Sequence, residues 1–360
     1  MKVGILTGGG DCPGINAAIR AVAKNLIINY KAEIIGIEDG FAGLIEERVR
    51  PLPYSQCSGI LSTGGTILGT SNSASPLNYK GEDLSAQVFS YYQKLGLDAL
   101  VVIGGDGTMS IANELSKLGM NIVGVPKTID NDLAGTDQTF GFDTAVSIVT
   151  DALDRLRTTG QSHKRVMILE TMGRYAGWIA LQSGMAGGAD VILVPEIPYD
   201  IDEVAKICSL RASEKKFSII VVAEGAMQKS GSAVVRETVL SSPDQVRLGG
   251  VGNMLKLQLE QKIDSEIRST ALGHIQRGGS PTAFDRIFAS NVGCAAAALV
   301  AQKRFGRVVV MKNNQTTDIP LDQSANKARS IPLDNMTLRN ALALGISFGD
   351  PDIVLPSQSF

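Results

Sequence analysis

Short, nearly unbroken apolar runs alternate with helical patterns along this chain, and several runs end at once in a glycine- or carboxylate-rich turn. That alternation is the mark of βα units closing a parallel sheet, so the fold class is α/β. The apolar runs predict strands at Val3–Leu6, Ile34–Ile37, Ala99–Ile103, Ile122–Val125, Val166–Leu169, Val191–Val194, Ile219–Ala223 and Val308–Met311. Ile15, Ile19, Val22, Ala23 and Leu26 recur at helical spacing behind Pro13. Further helices are predicted at Leu84–Leu95, Ala145–Leu156, Ile201–Leu210 and near Met336–Leu344. The polar stretch from Asn313 to Arg329 reads as a loop-rich passage. At 360 residues the chain suits two domains sharing a cleft.

Composition removes several function classes. The net charge of −2 gives no electrostatic case for nucleic acid or for an anionic membrane. No apolar run approaches the roughly 20 residues of a membrane span, and Gly8-Gly9-Gly10 follows Met1 too soon for a signal-peptide core. Cys12, Cys57, Cys208 and Cys294 form no C-x-x-C pair, which argues against zinc or a disulfide framework and for four small buried fillers. The expected location is the reducing cytoplasm.

The polar residues concentrate just after the predicted strands. The clusters are Gly8-Gly9-Gly10-Asp11, Gly104-Gly105-Asp106-Gly107-Thr108, Lys127-Thr128-Ile129-Asp130-Asn131-Asp132, Met172-Gly173-Arg174 and Glu224-Gly225. Ligands of open α/β sheets bind outside the carboxyl ends of the strands, so these five clusters describe one shared crevice. A glycine-rich βα turn alone is often only a tight turn. Two of them, each carrying an Asp, point to phosphate plus magnesium, because glycine lets the backbone approach a phosphate and the next helix offers free N–H groups. Neither G-x-x-x-x-G-K-[ST] nor G-x-G-x-x-G is present. The segment from Lys127 to Asp132 packs two carboxylates, a hydroxyl and an amine, the groups that phosphoryl transfer to an alcohol requires. On its own it reads equally well as a polar surface turn.

Four motifs in order, Gly104–Thr108, Pro126–Asp132, Met172–Gly177 and Leu272–Pro281, resemble the signatures of the 6-phosphofructokinase family, and the similarity runs from Val3 to about Gly349. The resemblance implies two Rossmann-like three-layer domains with the active site in the cleft between them. A donor (ATP) domain would comprise residues 1–141 plus about 281–330. A fructose 6-phosphate domain would comprise about 142–280 plus 331–360. It also implies phosphorylation of the 1-hydroxyl of fructose 6-phosphate, with Mg2+ as the metal and no nucleic-acid or membrane partner. Asp130 matches the general base, Asp132 its support, Asp106 the magnesium ligand, and Thr128 a contact of the transferred group. Gly10, Gly107 and Thr108 match the donor site. Met172, Gly173, Arg174 and Glu224 match fructose contacts, while Arg165, Arg268, His274 and Arg277 match a cage for the 6-phosphate. In the family the first two arginines of that cage come from a neighbouring subunit, so a homodimer or homotetramer with shared active sites is implied.

Two departures concern the donor. Gly107 is the choice of the family's ATP enzymes, where pyrophosphate enzymes carry Asp. Lys127 stands where bacterial ATP enzymes carry Gly, as in pyrophosphate enzymes, and the combination resembles the mixed-substrate branch. Asn72 occupies the position of an Arg that touches donor phosphates in allosteric ATP enzymes, and Lys127 is read as replacing that cation. ATP is therefore the expected donor and pyrophosphate the alternative. Another kinase with a Gly-Gly-Asp-Gly-Thr loop, such as an NAD kinase, lacks the arginine cage. A non-catalytic subunit would be expected to lose Asp130, Asp106 or Arg174, and all three are present.

Overall fold

The computed structural model describes residues 1–231, 235–238, 246–325 and 328–353. Its strands, in chain order, are β1 (Lys2–Thr7), β2 (Glu33–Ile37), β3 (Val49–Pro51), β4 (Ala99–Gly104), β5 (Ile122–Pro126), β6 (Val166–Thr171) and β7 (Val191–Leu193). They continue as β8 (Ser218–Ala223), β9 (Val235–Thr238), β10 (Val246–Leu248), β11 (Ile267–Ala271), β12 (Arg307–Lys312) and β13 (Gln315–Pro320). The helices are α1 (Ile15–Tyr30), α2 (Phe41–Ile45), α3 (Ser85–Lys94), α4 (Asp106–Lys117), α5 (Phe142–His163) and α6 (Trp178–Ala186). The remaining ones are α7 (Ile201–Ser213), α8 (Val251–Glu260), α9 (Ala283–Ala301), α10 (Leu321–Ser324) and α11 (Met336–Ala343). Mixed α/β architecture with parallel sheets is therefore observed.

Two compact units divide the chain. The first holds Met1–Thr144 and the described parts of Arg277–Ala328, and the second holds the described parts of Ala145–Val239, Val246–Gln276 and the chain from Arg329. The first carries a seven-stranded sheet in the order β13-β12-β5-β4-β1-β2-β3. Its five central strands pair in parallel, and β3 and β13 close the edges antiparallel. The second carries a parallel four-stranded sheet, β11-β6-β8-β7. Strands β4, β6 and β8 are buried along their whole length, as expected where helices cover both faces of a parallel sheet.

Three sequence expectations are corrected. The passage 313–329 contains β13 and α10 among its described residues, with 326–327 outside them. Its polar sequence reads as loop, but an edge strand needs only the β12 ladder and no apolar face. Helix α9 is long and apolar enough to pass for a membrane span, which the run-length reading missed. It is apolar because it is wedged between α1 and the β5 and β12 strands, with Gly293 letting Ala18 and Ala21 of α1 approach closely. Finally, Cys12, Cys57 and Cys208 are buried free thiols, but Cys294 is exposed on α9. Residues 354–360 of the expected second domain lie outside the described residues.

Candidate active site

In the first unit, three of the expected clusters meet at the carboxyl end of the seven-stranded sheet. The turn after β1 passes Gly9 and Gly14 in the left-handed region, with φ of 76° and 103°. Gly8 and Gly104 face the Thr108 side chain so closely that a Cβ on either would collide with it. Thr108 is buried in the first turn of α4, and Asp106 opens that helix. Gly107 differs: a Cβ there meets no atom within 4 Å. Asn72 is exposed, in a segment whose neighbours hold the β1 turn, since Ser71 O accepts from Gly9 N at 3.3 Å and Thr70 Oγ1 donates to Gly9 O at 2.5 Å.

Lys127 follows β5 and is only 3% exposed. Its Nζ donates to the Gly10 carbonyl, and the Arg277 guanidinium lies against the Cα of the same Gly10. Burial pushes the Lys127 ammonium below its ordinary range, and the Arg277 charge adds to that. The thiol of Cys12 and the carboxylates Asp11 and Asp130 pull the other way. Thr128 Oγ1 accepts from Asp130 N at 3.1 Å and donates to Asp132 Oδ1 at 3.4 Å. Asp132 is pushed up to about 7, first by burial and then by the charge of Asp130, with Asp106 contributing. Asn131 takes φ of 52° and accepts from Thr139 N at 3.1 Å, while Thr139 Oγ1 donates to Thr128 O at 2.7 Å. The loop is thus held from beneath by Thr139, which the sequence reading did not single out.

In the second unit, Met172, Gly173 and Arg174 follow the carboxyl end of β6, and Glu224 follows that of β8. Gly173 has φ of 127°, and Gly225 lies so close to the Arg174 carbonyl that no Cβ fits there. The Arg174 guanidinium stacks 4.7 Å from the Tyr175 ring centre. His274, in a 3-10 turn after β11, is exposed and so is no core histidine. A residue missed by the sequence reading, the buried Gln276, ties that turn together: its Oε1 accepts from Met172 N at 3.2 Å and its Nε2 donates to Gly273 O at 3.0 Å.

Arg165 and Arg268 lie elsewhere. Both guanidiniums bind the Glu266 carboxylate, which the Arg165 contact holds below the usual carboxylate range. Arg165 immediately precedes β6, and Arg268 pairs with Met167 near the start of that strand. Met172 is seven steps of extended chain along from Arg165, roughly 23 Å at strand spacing. The two arginines therefore sit at the opposite end of their sheet from Met172, Arg174 and Glu224 of the same chain.

Among the described residues no group of three or more His, Cys, Asp or Glu is arranged to hold a metal ion by itself. Asp106, Asp130 and Asp132 lie near enough to act on one another, since the charges of Asp130 and Asp106 add to the burial that pushes Asp132 up.

A family model described as Phosphofructokinase matches residues 2–300. The chain belongs to the phosphofructokinase family. As a phosphofructokinase it is a phosphotransferase, and its relatives fall in two donor classes. It is 48% identical to the ATP-dependent 6-phosphofructokinase 2 of Clostridium perfringens, over 97% of this chain and 98% of the relative. It is 46% identical to the pyrophosphate–fructose 6-phosphate 1-phosphotransferase of Streptomyces coelicolor, over 92% of this chain and 96% of the relative. The crystal structure of Pichia pastoris phosphofructokinase in the T-state matches with a TM-score of 0.79 at 32% identity, over 90% of this chain and 35% of that one. This phosphofructokinase spans about a third of the length of the Pichia chain.

Proposed function

We propose that the chain is an ATP-dependent 6-phosphofructokinase that transfers the terminal phosphoryl group of ATP to the 1-hydroxyl of fructose 6-phosphate. The observation that carries this reading is the meeting of Asp106, Asp130 and Asp132 beside a glycine-lined turn and a buried lysine. In the proposed step Asp130 accepts the hydroxyl proton, the oxygen bonds to the terminal phosphorus, and the bridging P–O bond breaks to release ADP. Asp132 and Thr128 orient Asp130. Lys127 and Arg277 offset charge on the donor phosphates from either side of Gly10, so Arg277 acts on the donor side as well as, or instead of, the 6-phosphate cage. Mg2+ would be held by Asp106 and by phosphate oxygens, and would supply charge neutralisation.

The unit with Met1–Thr144 is read as the donor domain, and the unit with Arg174 and Glu224 as the sugar-phosphate domain. Arg174, Met172 and Glu224 grip the sugar and His274 its 6-phosphate. Since Arg165 and Arg268 lie at the far end of the sheet from these groups, a second subunit must supply them if they bind the same phosphate. That supports a homodimer or homotetramer with shared sites. The unpaired buried thiols support a reducing cytoplasm.

Lys127 favours the second reading, pyrophosphate as donor, which is also what the Streptomyces coelicolor relative's name states of that protein. Fructose 6-phosphate phosphorylation assayed side by side with Mg-ATP and Mg-pyrophosphate tests both. Activity confined to pyrophosphate would overturn the first reading, and activity with neither would overturn both.

A further inference from the structure

The N-terminus of α9 carries a wholly buried carboxylate that the reaction above does not use. Thr282 caps the helix, its Oγ1 accepting from Asp285 N at 3.2 Å. In an ordinary capping box the acid three residues on would reach back to the cap. Asp285 reaches elsewhere. Its Oδ2 accepts from Thr144 N at 2.8 Å and from Thr144 Oγ1 at 2.5 Å, and Thr144 Oγ1 accepts in turn from Thr282 N at 3.0 Å. Asp285 is 0% exposed, so these bonds are shielded from competing water.

What the carboxylate anchors lies under both loops of the candidate site. Thr144 ends the segment Thr139–Thr144, whose start supports the general-base loop through Thr128 O and Asn131. Phe140 pairs with Lys127, and its carbonyl accepts from Cys12 Sγ at 3.6 Å. Gly141 sits between Cys12 of the β1 turn and Ile129 of the base loop, too tightly for a Cβ. Phe140 also packs edge-on to Phe288, one turn along α9 from Asp285, with ring centres 6.5 Å apart.

We infer that Asp285 is a positioning residue for phosphoryl transfer: through Thr144 it fixes the segment Thr139–Thr144, which sets Asp130 and the donor turn relative to each other. The inference rests on the function proposed above. A looser anchor displaces the base without removing any group that grips the sugar, so it acts on kcat.

The test compares Asp285→Ala, Asp285→Asn and Thr144→Val in the full-length enzyme, with thermal melts and steady-state kinetics on fructose 6-phosphate and Mg-ATP. Asp285→Ala is expected to lower kcat roughly 10- to 100-fold, the usual effect of a small misplacement, with KM for fructose 6-phosphate within about twofold. Asp285→Asn keeps an oxygen for both Thr144 bonds but turns its amide nitrogen towards the Gly141 N–H, so it should return part of the loss, and Thr144→Val should fall between. Normal kcat in the folded Asp285→Ala enzyme, a rise in KM alone, or an Asp285→Asn enzyme as slow as the alanine variant would overturn the inference. If Asp285→Ala does not fold, an unchanged kcat in Thr144→Val overturns it instead. A wild type inactive with either donor would count against the proposed function, and that outcome is read first.

Discussion

Lys127 donates its Nζ hydrogen bond to the carbonyl oxygen of Gly10, joining the loops after β5 and β1 across the intervening strand β4. The ammonium is thereby tied to the glycine-rich turn after β1. Among the described residues no carboxylate is hydrogen-bonded to it, although the charges of Asp11 and Asp130 act on it, and burial pushes it below its ordinary range. A phosphate brought to the turn would add to the counter-charge of Asp11 and Asp130.

The proposed choice of ATP as donor is tested at Gly107. Its Cβ position is open, so Gly107→Asp should fold normally. The new carboxylate would stand at the first turn of α4 where donor phosphates are expected, and like charges about 4 Å apart at an effective dielectric near 20 cost about 4 kcal/mol. ATP-dependent kcat/KM should fall by at least a hundredfold, with pyrophosphate-dependent activity retained or raised through Lys127. The ratio of kcat/KM for the two donors is the measurement, and an unchanged ratio refutes the role given to Gly107.

Removing the proposed general base should act on chemistry alone. Asp130→Asn is nearly isosteric and should lower kcat by roughly 10²–10⁴, with KM for fructose 6-phosphate little changed. A variant with near-normal kcat at pH 7 would rule Asp130 out as the base.

The arginine pair on Glu266 separates an intrasubunit role from a shared one. Arg268→Ala should raise KM for the sugar phosphate well above any change in KM for the donor. Mixed oligomers of Asp130→Asn and Arg268→Ala subunits should recover activity that neither parent has. Were Arg268 only a partner of Glu266, neither constant would move and mixing would restore nothing.

Asp285 also leaves a pH signature in stability. Burial, with Asp143 adding, pushes its carboxyl up to about 6 from 3.8, against the pull of Thr144 and Gly141. The folded state thus binds the proton more tightly than the unfolded chain. This group's contribution is fully present below about 4 and is lost as pH rises through about 6, by at most roughly 1.4 kcal/mol per pH unit. Asp285→Asn has no proton to lose. The melting temperature of the variant minus that of wild type should therefore climb between pH 4 and 6 and level off above, and parallel curves would show that Asp285 does not titrate in that window.

Local sequence determined a great deal here. The apolar runs that became β1, β2, β4 to β8 and β12 were legible because a buried parallel strand is apolar along its length, and the glycine and carboxylate clusters were legible because they follow those runs directly. Strands β3, β11 and β13 were not. They are short or partly exposed, and only pairing with β2, β6 and β12 makes them strands. The same limit governs the site. Arg165 meets Glu266 across 101 residues, Lys127 meets Gly10 across 117, and Thr144 meets Asp285 across 141. Side-chain type and spacing named the groups that phosphate chemistry needs, but which cation floors the donor turn, which end of a sheet an arginine occupies, and which buried carboxylate anchors the base loop depend on strand order. Strand order brings distant segments into contact, and no local pattern encodes it.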